Sequence, residues 1–364
     1  MKKRILLISN MYPSSEHPTY GTFIQRFEQQ MKEEGFIITK SVIQGRGNNF
    51  LQKIQKYLSF FWITVKKIRK DDYDLIYVHY IGHSLLPFLF IRKSISKPLV
   101  LNAHGSDVRP RSLIGRYIQK IIRPIIKQAD LIVVPSYYFK NVVRNLFSVD
   151  EKKIFVSPSG GIDTKIFIPS NRQNTLQQNL TIGYVSHINK DKGWHLLIET
   201  LKELKKYKKY NFSALIIGDG PDIKELKNCI NTYDLNTEVS ILGAITHNEL
   251  PLYYQSMDIF VFPTKGESLG LVGLEALSCG IPVIGSNIPA LNEYIKPHHN
   301  GYLFQYNSSR DLTSKIVDYL SLSLSQKQLL TSNARQTALK YEAKHVAKNL
   351  ANILNKLIRK NKNI

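Results

Sequence analysis

Short apolar runs alternate with longer amphipathic stretches along nearly the whole chain. Strands buried on both faces of a parallel sheet read as unbroken apolar runs, whereas the helices that cover such a sheet show a 3.6-residue period. In the first half this pattern predicts strands at Arg4–Ser9, Ile37–Ile43, Leu75–His79, Leu99–Ala103, Leu131–Val134 and Ile154–Val156, with helices such as Phe23–Glu34 and Gly115–Gln128 between them. The stretch Ser170–Asn179, rich in Asn and Gln, breaks the rhythm and is expected to be a linker. Beyond it the alternation resumes. Strands are expected at Thr181–Val185, Ser213–Ile217, Val239–Leu242, Ile259–Phe262 and Pro282–Ile284. Helices are expected at Trp194–Lys205, Ile223–Asn231, Asn248–Ser256 and Leu271–Ser278, the last stopped by Gly280. A long amphipathic helix, Lys340–Asn361, closes the chain. The expected architecture is α/β, with two doubly wound Rossmann-like domains, residues 1–170 and 171–340, facing across a cleft. Residues 341–364 are expected to cross back to the first domain. Folds of this kind bind ligands at the carboxyl ends of their strands.

Composition narrows the chemistry. With 43% apolar and 21% charged residues the 364-residue chain has ordinary globular make-up. No apolar run reaches the 18–20 residues, roughly, of a membrane span, and the run Ile5–Ile8 is too short for a signal peptide, so a cytoplasmic location is expected. The two cysteines, Cys229 and Cys279, have neither redox nor metal spacing and are expected to be reduced and structural. The net charge of +22 is concentrated early: residues 1–170 hold 27 Lys and Arg against 12 Asp and Glu. Such a field selects anionic partners, whether phosphorylated substrates, acidic lipid or nucleic acid. Asp72-Tyr73-Asp74 spells D-x-D but directly precedes an apolar strand and reads as a turn. No other cluster offers metal ligands, so neither a metal nor another cofactor is expected.

Candidate chemistry is densest in Thr264–Ile284, TKGESLGLVGLEALSCGIPVI. A strand runs into a loop of small residues, and a helix begins at Leu271. Its first backbone N–H groups attract phosphate. Two carboxylates flank that turn, Glu267 in the loop and Glu275 in the helix, each suited to accept from hydroxyls on either side of a diphosphate. Amides for a pyrophosphate, one carboxylate for a ribose and one for a second sugar would together suit a nucleotide sugar.

This segment, with seven residues between Glu267 and Glu275, resembles the E-x7-E element of the retaining GT-B glycosyltransferases of family 4. Other stretches share the resemblance: Lys192-Gly193 in NKDKGWHLLI, IIGDGP from Ile216, MDIFVFPT before the glutamate loop, HHNGYLF from His298 and SGGIDTKIF from Ser159. It implies a GT-B fold and transfer with retained configuration from a nucleotide-diphosphate sugar. By the resemblance Lys192, Glu267 and His104 are the catalytic candidates. Lys192, His187, Glu267, Ser268, Leu269, Gly270, Leu271 and Glu275 would hold the donor, with Lys192 on its phosphate. His104, in NAHGSD, would position the donor sugar. Gly21, in the single-glycine loop Tyr12–Thr22, and Asp107 and Arg109 are the acceptor-side candidates. In one place the chain departs from the family: Ser186-His187-Ile188 stands where Gly-Arg-Leu is usual. An imidazole cannot reproduce the two-pronged grip of a guanidinium on phosphate.

Two basic segments point to the acceptor. Phe50–Lys70 interleaves lysines with Phe60, Phe61 and Trp62, and Leu113–Lys127 sets Arg116, Lys120, Arg123 and Lys127 among isoleucines. Helices of this type lie on anionic membrane. The expected function is transfer to a lipid-linked glycan in cell-surface polysaccharide assembly, peripheral to the inner face of the membrane. A soluble acceptor is the enzymatic alternative. A non-catalytic nucleic-acid-binding protein, the reading from another class, would leave the glutamates and glycine turns unused, and no nucleic-acid partner is expected.

Overall fold

In the computed structural model the residues described are 2–18, 20–47, 49–91, 95–170 and 179–362. The chain forms two compact units, Met1–Gly161 with Ala343–Ile364, and Ile162–Glu342. Most of the expected linker, residues 171–178, lies outside the described residues. The first division falls at Gly161/Ile162, ahead of the expected position near residue 170. Ile162 bridges to Glu342 and Phe167 is buried against Tyr254, so residues 162–170 fold with the second unit.

The first unit is built on β1 (Arg4–Tyr12), β2 (Ile37–Gln44), β3 (Leu75–His79), β4 (Leu99–Asn102), β5 (Leu131–Val134) and β6 (Ile154–Val156). All pair in parallel, in the order β2-β1-β3-β4-β5-β6. Its helices are α1 (Thr22–Glu33), α2 (Phe50–Lys70), the single turns α3 (Ile81–Ser84) and α4 (Phe88–Ile91), α5 (Leu113–Gln128) and α6 (Tyr137–Phe147). The two-residue alternation of β1 sends Leu6 and Ile8 into one core and Ile5 and Leu7 into the other. Local signals set the helix ends. The Asn49 side chain caps α2 by accepting from Gln52 N at 2.8 Å, and Lys67, Arg69 and Lys70 gather at its negative C-terminal end. Helix α5 starts two residues before the expected Gly115, because the Ser112 hydroxyl caps it by accepting from Gly115 N at 3.0 Å. The Asp72-Tyr73-Asp74 turn closes the foot of β1, where Asp74 accepts from Arg4 N and Asp72 pairs with the Arg4 guanidinium.

The second unit contains β7 (Asn179–Val185), β8 (Asn211–Ile217), β9 (Val239–Gly243), β10 (Ile259–Phe262), β11 (Val283–Ser286) and β12 (Gly301–Phe304), parallel in the order β12-β11-β10-β7-β8-β9. The helices are α7 (Trp194–Lys206), α8 (Ile223–Thr232), α9 (Leu250–Tyr254), α10 (Leu271–Ser278), α11 (Pro289–Asn292), α12 (Ser309–Leu320) and α13 (Leu324–Leu339). Helix α9 is shorter than its pattern predicted: Pro251 sits in its first turn and it ends at Tyr254, with Gln255 as its C-cap. A last helix, α14 (Ala343–Lys362), packs Leu350, Leu354 and Ile358 into the core of the first unit beside Ile5 and Tyr77. Each unit thus has the expected doubly wound fold. In each, the chain reverses direction across the sheet once, between β1 and β3 in the first and between β7 and β10 in the second. Crevices open at such points, at the carboxyl ends of the strands.

Candidate active site

In the second unit the loops that leave β7 and β10 bring Lys192 and Glu267 together. Lys192 Nζ lies 2.5 Å from Glu267 Oε1, with both side chains only partly exposed. The Thr264 hydroxyl donates to the same oxygen at 3.2 Å, which leaves Oε2 of Glu267 for a ligand. Backbone closeness makes the meeting possible. At Gly193, φ is +72° and an added Cβ would stand 1.9 Å from the Pro263 carbonyl oxygen. Only glycine lets the loop after β7 lie against the end of β10. The Gly218 turn after β8 is pressed as tightly on Ser186, where a Cβ would meet the carbonyl oxygen at 1.8 Å. His187 stands exposed between these turns, open to solvent.

Helix α10 starts at Gly270 in the left-handed conformation, φ +89°, and a Cβ there would run into the Phe262 ring at 2.8 Å. The Gly270 carbonyl accepts from the Tyr294 hydroxyl at 3.0 Å, which pins the start of the helix. The first amides of α10, at Leu271 and Val272, precede the first intrahelical bond and carry the positive end of the helix dipole. Ser268 is half-buried beside them, while Leu269 points its side chain into the core at 1% exposure, so it has only its backbone to offer a ligand. Glu275 is 5% exposed, and both its oxygens find partners: His247 Nε2 at 3.1 Å from Oε1 and the Tyr254 hydroxyl at 3.1 Å from Oε2. Burial, followed by the nearby Glu275 charge, holds the Tyr254 hydroxyl well above its usual range and pushes the Cys279 thiol up to about 12.

In the first unit the ends of β3 and β4 carry a histidine pair instead. His104 follows β4, half-buried, with its ring 4.4 Å from that of Phe23. Its Nε2 lies 2.9 Å from Nδ1 of His79, the last residue of β3. Burial drives both imidazoles below their usual range, His79 furthest, with the neighbouring His104 adding to the effect; Asp107 partly offsets it at His104. Asp107, an acceptor-side candidate, is 5% exposed, and its carboxylate accepts from the backbone N–H groups of His104, Gly105 and Ile81 at 2.8–3.2 Å. Its place is to fasten the loop after β4 to the start of α3. Arg109 is exposed and donates to the Tyr138 hydroxyl at 2.8 Å. Gly21, φ +80°, caps α1 with its backbone close to Tyr12.

The family profile described as glycosyl transferases group 1 matches residues 168–337, and the profile described as glycosyltransferase family 4 matches residues 25–165. The chain belongs to the GT-B glycosyltransferases. Among its relatives is a 41.2 kDa protein in the cps region of Klebsiella pneumoniae, 27% identical over 80% of each chain. Another is the capsular polysaccharide biosynthesis glycosyltransferase CapM of Staphylococcus aureus, 32% identical over 51% of each. Among solved structures, Anabaena HepE in complex with UDP and glucose aligns over 98% of this chain and all of its own, with a TM-score of 0.75 at 17% identity.

Three residues of this glycosyltransferase escaped the sequence reading. His79 is the last residue of β3, and because β3 and β4 are parallel neighbours with His79 opposite Asn102, the sheet brings it beside the loop that carries His104. His247 and Tyr254 lie 28 and 21 residues before Glu275 and meet it only through folding, without a local signal. No group of three or more His, Cys, Asp or Glu among the described residues is arranged to hold a metal, and no described helix is long and apolar enough to cross a membrane.

Proposed function

We propose that this glycosyltransferase moves a sugar, with retained configuration, from a nucleotide-diphosphate sugar held by the second unit to a lipid-linked glycan at an anionic membrane surface on the cytoplasmic side. The observation that carries the donor half is the Lys192–Glu267 pair at the point where the chain reverses between β7 and β10, with Glu275 one helix turn beyond the α10 amides. A diphosphate brings more negative charge than one carboxylate, so it draws Lys192 and the α10 N-terminus to itself and frees Glu267 for the hydroxyls of the transferred sugar. As the glycosidic bond lengthens, charge grows on the leaving phosphate, and Lys192 stabilises it where it forms. The acceptor then attacks from the same face, giving its proton to that phosphate. Glu275, fixed by Tyr254 and His247, takes the ribose. No metal enters this route. The complex of HepE with UDP and glucose is in keeping with a donor of this class.

For the acceptor half, the support is a surface of the first unit. Helix α2 exposes Leu58 and Trp62 beside Lys53, Lys66 and Lys70. Phe61 packs edge-on to Phe90 of α4 at 5.3 Å, and Phe90 is itself 73% exposed. Helix α5 adds Leu113, Ile114 and Tyr117, all exposed. Apolar groups ringed by lysines match the interface of an acidic bilayer, and CapM's name links a relative to capsular polysaccharide.

Two measurements test the halves separately. Thermal melting with UDP-, GDP-, ADP- and dTDP-sugars should show one base class stabilising the wild type by about 2.7 kcal/mol at a hundredfold its Kd, with the gain lost in Lys192→Ala. If none of the four stabilises the protein, the donor assignment is wrong. Sedimentation with phosphatidylglycerol vesicles, but not with phosphatidylcholine, should be abolished by Trp62→Ser with Lys66→Glu. Equal sedimentation with both lipids, or with neither, removes the membrane and favours a soluble acceptor.

A further inference from the structure

Within the first unit the two histidines form an isolated pair. His79 is 1% exposed, and its ring is enclosed by Phe27 at 4.6 Å and Tyr77 at 5.0 Å. Its Nδ1 meets His104 Nε2 at 2.9 Å, and its own Nε2 is buried with no hydrogen-bond partner. A single proton lies between the rings, so two arrangements are available. If His104 donates, His79 must carry its proton on Nε2 and strands a buried N–H. If His79 donates from Nδ1, its Nε2 is a bare lone pair and no N–H is orphaned. Buried N–H groups without partners are the rarer defect and leave a donor's full desolvation cost unmet. The second arrangement therefore prevails, and it leaves His104 with its proton on Nδ1.

We propose that His79 is a positioning residue that holds His104 in the Nδ1–H tautomer, making His104 a fixed hydrogen-bond donor to a ligand hydroxyl rather than a proton-transfer group. With Nε2 occupied by the His79 proton, Nδ1 is the only ring nitrogen of His104 left to a ligand, and it can only donate. Asp107 completes the arrangement from the backbone side by holding the His104 and Gly105 amides. The Phe23 ring packs against that of His104 at 4.4 Å. That the ligand hydroxyl belongs to a sugar rests on the proposed function above; the tautomer itself does not.

The test is long-range ¹H–¹⁵N spectroscopy of the histidine rings in the full-length protein at pH 7.5, with His104 assigned by the signal lost in His104→Gln. The wild type should show His104 protonated on Nδ1 in excess of roughly tenfold, the scale expected when the alternative strands a buried N–H. His79→Asn, whose amide nitrogen can donate from the position of Nδ1, should keep this tautomer. His79→Leu should release it to a mixture. A wild-type His104 protonated on Nε2, an averaged tautomer, or a spectrum indifferent to His79→Leu would each overturn the proposal. The wild-type spectrum decides even if a variant fails to fold. An Nδ1–H signal in a protein that no nucleotide sugar stabilises would sink the sugar-hydroxyl role while leaving the tautomer lock standing.

Discussion

The two units share a fold yet furnish the carboxyl ends of their strands in opposite ways. At β7/β10 the chain places an ion pair, Lys192–Glu267, beside a helix N-terminus and a second, buried carboxylate. At the strand ends of β3 and β4 it places two imidazoles driven towards neutrality and a carboxylate spent on backbone amides. The difference teaches what each half is prepared to meet. A partly exposed ion pair adds little to stability; on the proposed function its value lies in being exchangeable for a stronger anion. A dry neutral pair cannot compensate charge, and on the proposal above it orients a hydroxyl instead.

The largest effect that would break this contrast is on transfer itself. Lys192→Ala should lower sugar transfer to a membrane extract by about 10²–10³-fold, the cost of losing one aimed charge-stabilising group. Its urea midpoint should stay near that of the wild type. If stability falls with activity, the pair is structural and the contrast fails. Next in size is Gly193→Ala. A side chain at φ +72° that collides with the Pro263 carbonyl should cost about 2–4 kcal/mol in urea unfolding. Glu275→Gln should keep the fold through Tyr254 and His247 but weaken nucleotide-sugar binding about tenfold by calorimetry, the scale of a lost charge-assisted bond.

A pH effect sharpens the neutral side. Because burial lowers the titration of His79 and His104, the unfolded chain binds more protons than the folded one once pH drops below the ordinary histidine value. Their contribution is complete above about pH 6.5 and is lost as pH falls below it, by up to about 1.4 kcal/mol per pH unit for each ring. Unfolding between pH 7.5 and 5.5 should show this slope, reduced in His79→Asn. The smallest change expected is His187→Arg, which should tighten nucleotide-sugar binding by a few fold at low salt, with the gain shrinking as salt is added.

Much of the fold was legible because parallel strands buried on both faces have little choice of composition. Leu75–His79, Leu131–Val134, Ile154–Val156 and Ile259–Phe262 appear in the structure with the limits their apolar runs predicted. Limits shifted where a side-chain cap or a proline intervened, as at Ser112 and Pro251. The site was partly legible. Glu267 and Glu275 lie close together in the sequence, and Lys192 stands next to a glycine that announces a tight turn. The backbone contacts of Asp107 were not legible, because an aspartate after a strand looks the same whether it faces solvent or its own backbone.

The sequence by itself determined two successive doubly wound sheets, an early concentration of basic charge and a glutamate loop before a helix, since periodicity, composition and short spacing are properties of neighbouring residues. Only the tertiary structure decided that residues 162–170 fold with the second unit, that Glu275 leans on His247 and Tyr254, and that His104 is backed by His79. Each of these joins side chains 21 or more residues apart, or assigns a segment to one core over another. Such outcomes depend on which strands become neighbours and which polar atoms find partners once water has been excluded.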